Sequence, residues 1–363
     1  MKQMSTIPVP RRFSYSKKWL IPSIIVVFVL LLVFVLYKQQ GPVLPSANPT
    51  TKNADKITPV PSPGIKPEKE QVNLLALYQE KMTHVINGDT SGRWKVAETA
   101  PLPGAIFPYK RVIAFYGNLY STRMGILGEL PKKDVLKKLQ EEVAAWQKAD
   151  SAIEVIPALH YIAVTAQGAP GKGGTYRLRM PFHQIDSVLN MANQINAIVF
   201  VDIQVGLSKL QSEIPELEEY LKLPNVHLGI DPEFSMKGGE KPGAVIGKFD
   251  AADINYATEY LAKLVKENNL PPKILVVHRF TQGMVTGYKD IQKRPEVQIV
   301  MHMDGWGEPA KKLNTYQQYI YKEPVEYTGF KIFYKNDTKN NGRILTPEEL
   351  LKLKPQPVYI QYQ

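Results

Sequence analysis

A chain of 363 residues with 44% hydrophobic content is long enough for one large domain or two ordinary ones, and its lack of cysteine excludes a disulfide framework and thiolate chemistry. The formal charge of +11 points first to nucleic acid, but the first seventy residues hold ten Lys and Arg against three Asp and Glu, which leaves +4 for the other 293. No basic stripe with interleaved aromatics follows, so no nucleic-acid partner is expected.

Taken in chain order, residues 1–18 form a basic tail carrying Lys2, Arg11, Arg12, Lys17 and Lys18. Residues 19–37, WLIPSIIVVFVLLLVFVLY, contain no charge, and nineteen residues of helix match the hydrocarbon thickness of a bilayer. Only Lys38 follows closely, so the positive-inside rule puts the N-terminus in the cytoplasm and everything downstream outside the membrane. A cleaved signal peptide is the rival reading, disfavoured by the length of the apolar run and by the lack of an A-x-A site just after it. Residues 38–70 carry prolines at 42, 45, 49, 59, 61, 63 and 67 and few large apolar side chains, the composition of an extended, disordered stalk. Residues 71–108 read as a lead-in, helical to about residue 87 and irregular beyond it.

From 109 to 363 the pattern becomes regular. Short apolar and β-branched runs fall at 111–118, 154–164, 197–204, 226–233, 273–280, 297–304, 329–337 and 357–363. Helical periodicity separates many of them, at 131–150, 182–196, 207–222, 250–269 and from Thr346. Eight strands alternating with helices over this length predict an α/β fold, a (β/α)8 TIM-type barrel preceded by one transmembrane helix and a Pro-rich linker. An open doubly wound sheet is the alternative, and it lacks its glycine-rich turn.

Alternate residues of a barrel strand face the axis. On the fourth run, Val226, Leu228 and Ile230 form one apolar set, and His227, Gly229, Asp231 and Glu233 form the other. The same parity directs Tyr116, Asn118, His160, Asp202, Gln204, His278, His302, Asp304, Lys335 and Gln361 inward near the strand ends, with Trp306 just beyond the sixth. Side chains from several strands converge only at the C-terminal mouth, which is where such barrels build sites. Each residue has a bland alternative: a satisfied core histidine, a turn-forming Asp304, a loop-capping Asp202, a surface pair between Lys335 and Asp337. Asp250 and Asp253 read as a helix cap, as do Thr346 and Glu349.

The D-x-E pair Asp231 and Glu233 on the fourth strand resembles that of chitinase-type and lysozyme-type barrels, which use the substrate's own acetamide as nucleophile. That resemblance implies Glu233 as general acid/base and Asp231 as the group orienting the acetamide, with Trp306 and Tyr116 as stacking faces. The longer acidic signature before the chitinase pair is absent, since Gly229 and His227 stand there. Across residues 105–363, the motifs IAFYGN, PALHYIAVTAQG, GIDPEFSM, VVHRFTQGMV, HMDGWG and FYKND together resemble a family of bacterial membrane-anchored or secreted barrel proteins. This second resemblance implies the fold and the extracytoplasmic location and carries over no catalytic residue.

Three functions fit these residues. A glycan-acting hydrolase of the cell envelope uses the carboxylate pair, a metal-dependent hydrolase uses the His/Asp cluster, and a binding protein holds an envelope glycan without turnover. The first is favoured. No cofactor is expected and no residue is assigned to a metal, because H-x-H on the first strand and H-E-x-x-H are both missing. GAPGKGGT at 168–175 fails the phosphate-loop pattern and reads as a loop over the barrel mouth. DTKNNGRILTPE at 337–348 puts Lys339 where a calcium loop needs an oxygen. The expected partners are therefore a carbohydrate or other envelope ligand and, through residues 19–37, a lipid bilayer.

Overall fold

The computed structural model describes residues 68–363. The basic tail, the expected membrane segment at 19–37 and the stalk up to residue 67 lie outside the described residues. Among the described residues, no helix is long and apolar enough to cross a membrane.

Eight parallel strands close into a barrel: β1 (Lys110–Gly117), β2 (Glu154–Ala166), β3 (Ile198–Ile203), β4 (Val226–Ile230), β5 (Lys273–Arg279), β6 (Val297–Met303), β7 (Tyr327–Ile332) and β8 (Tyr359–Tyr362). Each pairs with its chain neighbours, and β1 closes the ring by pairing with both β2 and β8. The expected strand order and closure are therefore present. Outward residues such as Ile113, Leu159, Val201, Leu228, Val277, Met301 and Ile360 form a buried shell with the surrounding helices.

The helices are less regular than the strands. α1 (Glu68–Ile86), α2 (Lys132–Ala149), α3 (Phe182–Asn193), α4 (Ala251–Asn268) and α5 (Pro309–Thr315) are well formed. α4 opens with the expected capping box between Asp250 and Asp253, and Thr346 with Glu349 makes a second one before Pro347–Leu350. The helix expected over 207–222 is instead three short turns, Leu210–Glu213, Pro215–Leu217 and Glu218–Leu221. Pro215 removes a backbone donor mid-segment, which breaks an otherwise helical pattern. Between β5 and β6 there are only single turns, Gln282–Met284 and Tyr288–Asp290, with a two-residue strand, Val285–Thr286.

α1 and the segment after it close the N-terminal end of the barrel. Tyr78, Met82, Val85, Trp94 and Phe107 pack on the lower interior residues Val112, Ala158, Phe200, Ile274, Val276 and Val300 in one buried cluster. Gln298, inward on β6, accepts from the Ile106 and Phe107 amides at 2.9 and 3.0 Å and donates to the Phe107 carbonyl at 2.7 Å. A second polar clasp joins buried Arg111 to Asp150 at 2.7 Å, with His84 of α1 on the same carboxylate oxygen at 3.0 Å. The sealed lower end leaves the C-terminal mouth as the open one.

β2 runs past the barrel rim and turns back through 168–175 to a short antiparallel strand, Arg177–Arg179. Arg177 and Arg179 both pair with buried Glu213, which ties this hairpin to the loop after β3.

Candidate active site

The strand ends hold two tiers of polar side chains. The lower tier lies inside the barrel and contains His160, Asp202, His278, His302 and Gln361, all with 0% exposure. Two strand glycines make room for it. A β-carbon on Gly229 of β4 would intrude on Asp202 Oδ1 and His160 Nε2, and one on Gly329 of β7 would fall 2.5 Å from His302 Nδ1. Glycine inside a strand marks such a close approach.

Tyr116 donates its hydroxyl to Asp202 Oδ2 at 3.0 Å. Asp202 Oδ1 faces His160 Nε2 at 3.3 Å and His278 Nε2 at 3.5 Å. Tyr359 lies 2.6 Å from His160 Nδ1, and Gln361 meets the same tyrosine hydroxyl at 2.9 Å. His160 stacks flat on Phe200, with centroids 5.0 Å apart.

Burial governs the protonation of this tier. It pulls His160 down to about 4, against the pull of Asp202, and holds His302 well below the usual imidazole range. Burial also opposes charge on His278, but the flanking carboxylates of Asp202 and Asp304 outweigh it and push that imidazole up to about 10. Asp202 is held well below the carboxylate range: burial alone would raise it, and His278 and His160 reverse the effect. Tyr116 is pushed well above its ordinary value by burial and then by Asp202.

The upper tier lines an open cleft of about 470 Å³. Asp231, Glu233, Gln204, Asp304, Lys331 and Trp306 all contribute to it. β4 ends at Ile230, and Pro232–Phe234 is a turn of 3₁₀ helix capped by Asp231, whose Oδ1 accepts from the Glu233 amide at 3.1 Å. The two acids therefore do not keep the spacing of an extended strand, although both reach the cleft. Burial raises the Asp231 carboxyl well above the usual range, with Glu233 and Asp202 adding to it against the pull of His278. Half-buried Glu233 is raised to about 7, first by burial and then by Asp304. Asp304 goes the other way. Burial would raise it, but Lys331 at 2.9 Å on one oxygen and His278 Nδ1 at 2.8 Å on the other keep it ionised.

Of the residues expected from sequence, Tyr116, Gln204, Asp231, Glu233, Asp304 and Trp306 line the cleft, and His160, Asp202, His278, His302 and Gln361 lie in the tier beneath. Asn118 is not a cleft residue. It is buried, donating to the Ile162 carbonyl and accepting from the Tyr120 amide, and so shapes the loop after β1. Lys335 is also elsewhere: β7 ends at Ile332, so Lys335 stands on the rim, exposed, paired with Glu129 rather than Asp337. Asp337 is buried and pairs with Lys312 at 2.5 Å, while accepting from the Phe333 and Gly307 amides at 2.9 Å each. Its oxygens are thus already engaged, against a calcium-loop role.

Two site residues escaped the sequence reading. Lys331 has the inward parity of Lys335 but sits four residues earlier, where the strand still exists. Tyr359 passes as core packing, although its hydroxyl fixes His160.

No protein-family model matches the chain, and no curated protein matches it. Among solved structures, similar folds include Thermotoga maritima Cel5A in complex with cellobiose, at 11% identity and a TM-score of 0.37 over 69% of this chain and 88% of that one. Burkholderia cenocepacia dihydropteroate synthase matches at 9% identity and 0.33, over 70% and 86%. The Bacillus megaterium QM B1551 spore cortex-lytic enzyme SleL matches at 13% identity and 0.32, over 76% and 64%. Likeness at this level adds nothing to the barrel that the strand pairing already establishes.

Proposed function

We propose that the protein is a membrane-anchored, extracytoplasmic hydrolase of envelope glycans, with Glu233 as its general acid. The observation that carries this reading is a single cleft holding two carboxyls in opposite states, Glu233 raised to about 7 and Asp304 kept ionised by Lys331 and His278. Glycoside hydrolysis needs that division of labour. Glu233 protonates the glycosidic oxygen as the bond to the anomeric carbon breaks. Asp304 supplies negative charge opposite the oxocarbenium-like transition state. Water adds to the anomeric carbon and gives a proton back to Glu233.

The sequence alone suggests Asp231 as the charge-bearing partner. Its burial supports a neutral carboxyl instead, one that orients a ring substituent by hydrogen bonding while Asp304 bears the charge. Trp306, 51% exposed at the cleft edge, offers a face on which a sugar ring can stack. On this reading residues 19–37 span the bilayer, and the proline-rich segment after them holds the barrel out toward the wall.

The test is Glu233→Gln assayed on cell-wall fragments and N-acetylhexosamine oligomers, with products followed by mass spectrometry. Turnover is expected to fall at least a thousandfold with binding and thermal stability nearly unchanged. Unchanged turnover would sink the assignment, and saturable glycan affinity with no released product from the wild type would leave a binding protein in its place.

A further inference from the structure

We propose that the lower tier is a binding site for one divalent transition-metal ion, of the zinc type, held by His160 Nε2, Asp202 Oδ1 and His278 Nε2 at the ends of β2, β3 and β5. These three residues have 0% exposure, and none of the three atoms has a hydrogen-bond partner among the described residues. Buried polar atoms left unpaired cost about 1–3 kcal/mol each, so three on one point call for a common partner.

The spacing fits a metal better than it fits hydrogen bonds. With zinc–ligand bonds of about 2.0–2.1 Å at a tetrahedral angle, neighbouring ligand atoms stand about 3.4 Å apart. Asp202 Oδ1 is 3.3 Å from His160 Nε2 and 3.5 Å from His278 Nε2, and all three atoms lie within 4.8 Å of one another. Gly229 keeps the space clear, since a β-carbon there would intrude on two of the three ligand atoms.

Each ligand is also held from behind, as metal ligands usually are. His278 Nδ1 donates to Asp304 Oδ2 at 2.8 Å; the carboxylate is acceptor-only, so this leaves Nε2 free to coordinate. Asp202 Oδ2 accepts from Tyr116 at 3.0 Å, which turns Oδ1 inward. His160 Nδ1 lies 2.6 Å from the Tyr359 hydroxyl, which lies in turn 2.9 Å from the Gln361 amide. As placed, Gln361 Nε2 donates to that hydroxyl and lies 3.1 Å from His160 Nδ1, while the amide oxygen has no partner among the described residues. With the amide turned so that its oxygen takes the tyrosine proton, Nδ1–H donates to Tyr359 and His160 Nε2 keeps a lone pair for the ion. A protonated His278 lying between Asp202 and Asp304 accounts for one contact, but without an ion His160 Nε2 has only Asp202 Oδ1 to face, at 3.3 Å and outside hydrogen-bond geometry.

His278, His302 and Asp304 make a second ligand-like group. There His278 Nδ1 and Asp304 Oδ2 already share a hydrogen bond at 2.8 Å, too close for neighbouring ligands of one tetrahedral ion. Two imidazoles and one carboxylate favour zinc, cobalt or nickel over magnesium or calcium. The ion would join three strands beneath the carboxylates of the cleft.

The test uses the full chain, stripped with chelator, dialysed and titrated with ZnCl2, with metal content read by elemental analysis. About one Zn2+ per chain is expected, with sub-micromolar affinity and a raised melting temperature, and Co2+ in its place should give the visible absorption of a tetrahedral site. His160→Gln and Asp202→Asn should weaken binding at least a hundredfold. If those variants do not fold, Tyr359→Phe, which keeps the ring and removes the hydroxyl shared by His160 Nδ1 and Gln361, should weaken it about 10- to 100-fold. No stoichiometric zinc or cobalt in the wild type, or unchanged affinity in His160→Gln or in Tyr359→Phe, would overturn the site. None of these readouts involves glycan turnover, so this proposal and the glycan reading fail separately.

Discussion

Lys331 Nζ lies 2.9 Å from Asp304 Oδ1 under the cleft, with 3% and 7% of the two side chains exposed, and His278 occupies the other oxygen of the same carboxylate. Asp304 thus carries a charge removed from water, paired with the Lys331 cation and held by the hydrogen bond from His278 Nδ1. Removing one partner of such a pair strands the other, typically at about 3–5 kcal/mol. Lys331→Met should therefore lower unfolding stability by about 3 kcal/mol, since His278 still screens part of the charge. Urea denaturation reads the loss, and a change under about 0.5 kcal/mol would mean that His278 alone holds Asp304.

Gly229 offers a steric test of the lower tier. Gly229→Ala sets a methyl against Asp202 Oδ1 and His160 Nε2, two fully buried atoms with little freedom to retreat. Overpacking of this kind costs about 1–3 kcal/mol. Gly283→Ala is the control, because nothing lies within 4 Å of the added carbon there. Calorimetry on the two variants should show a lowered melting temperature for the first alone.

The strands were legible because a barrel strand buried on both faces leaves a short β-branched run, and parity along it separates axis from shell. That parity directed His160, Asp202, His278 and Asp304 inward from sequence alone. It failed where a run outlasts its strand. In GFKIFYKND, Tyr334 and Lys335 continue the alternation after β7 has ended at Ile332, which hid Lys331. Side chains that face away from the axis yet carry charge were also hidden: Arg279, 0% exposed, spends its guanidinium on Glu323 and on loop carbonyls from Thr281, Gln282, Val285 and Tyr319. The periodicity of 207–222 reads as one helix only when Pro215 inside it, a helix breaker, is passed over. Gly229 and Gly329 stand inside apolar strand runs, where a glycine signals a close approach.

Glu233 sets the expected pH dependence. Its carboxyl is raised to about 7, so the proton it must donate is present below that pH and lost as pH rises through it. Hydrolysis of a glycan substrate should fall on the alkaline side with an apparent pKa near 7. Lys331→Met removes a cation that holds this carboxyl down, so the same limb should move to higher pH, readable as kcat/KM against pH. A limb that stays in place would separate Lys331 from the general acid.

Asp150 governs a different limb, in stability. Burial would raise its carboxyl, but Arg111 and His84 outweigh it and hold it below the usual range. A depressed folded-state pKa contributes stability above the unfolded value, and that contribution is lost as pH falls through the lower, folded value. Asp150→Asn should strand the Arg111 guanidinium, which has 0% exposure, at a cost of about 3–5 kcal/mol at neutral pH. The variant should also lose part of the wild-type decline in stability below about pH 4, measured by denaturant unfolding across that range.

The proposed topology can be tested because the chain contains no cysteine, so any thiol introduced is the sole label site. Ser5 lies in the basic tail before residues 19–37, and Ser62 lies in the proline-rich segment after them. If the basic flank stays in the cytoplasm, a membrane-impermeant maleimide added to intact cells should label Ser62→Cys and spare Ser5→Cys until the membrane is opened. Equal labelling of both in intact cells, or of neither, would contradict an anchored chain with its barrel outside. Loss of the Ser5→Cys band in size, with Ser62→Cys retained, would indicate instead that the apolar segment is removed after export. The first outcome leaves the barrel tethered within reach of the envelope glycans on which Glu233 is proposed to act.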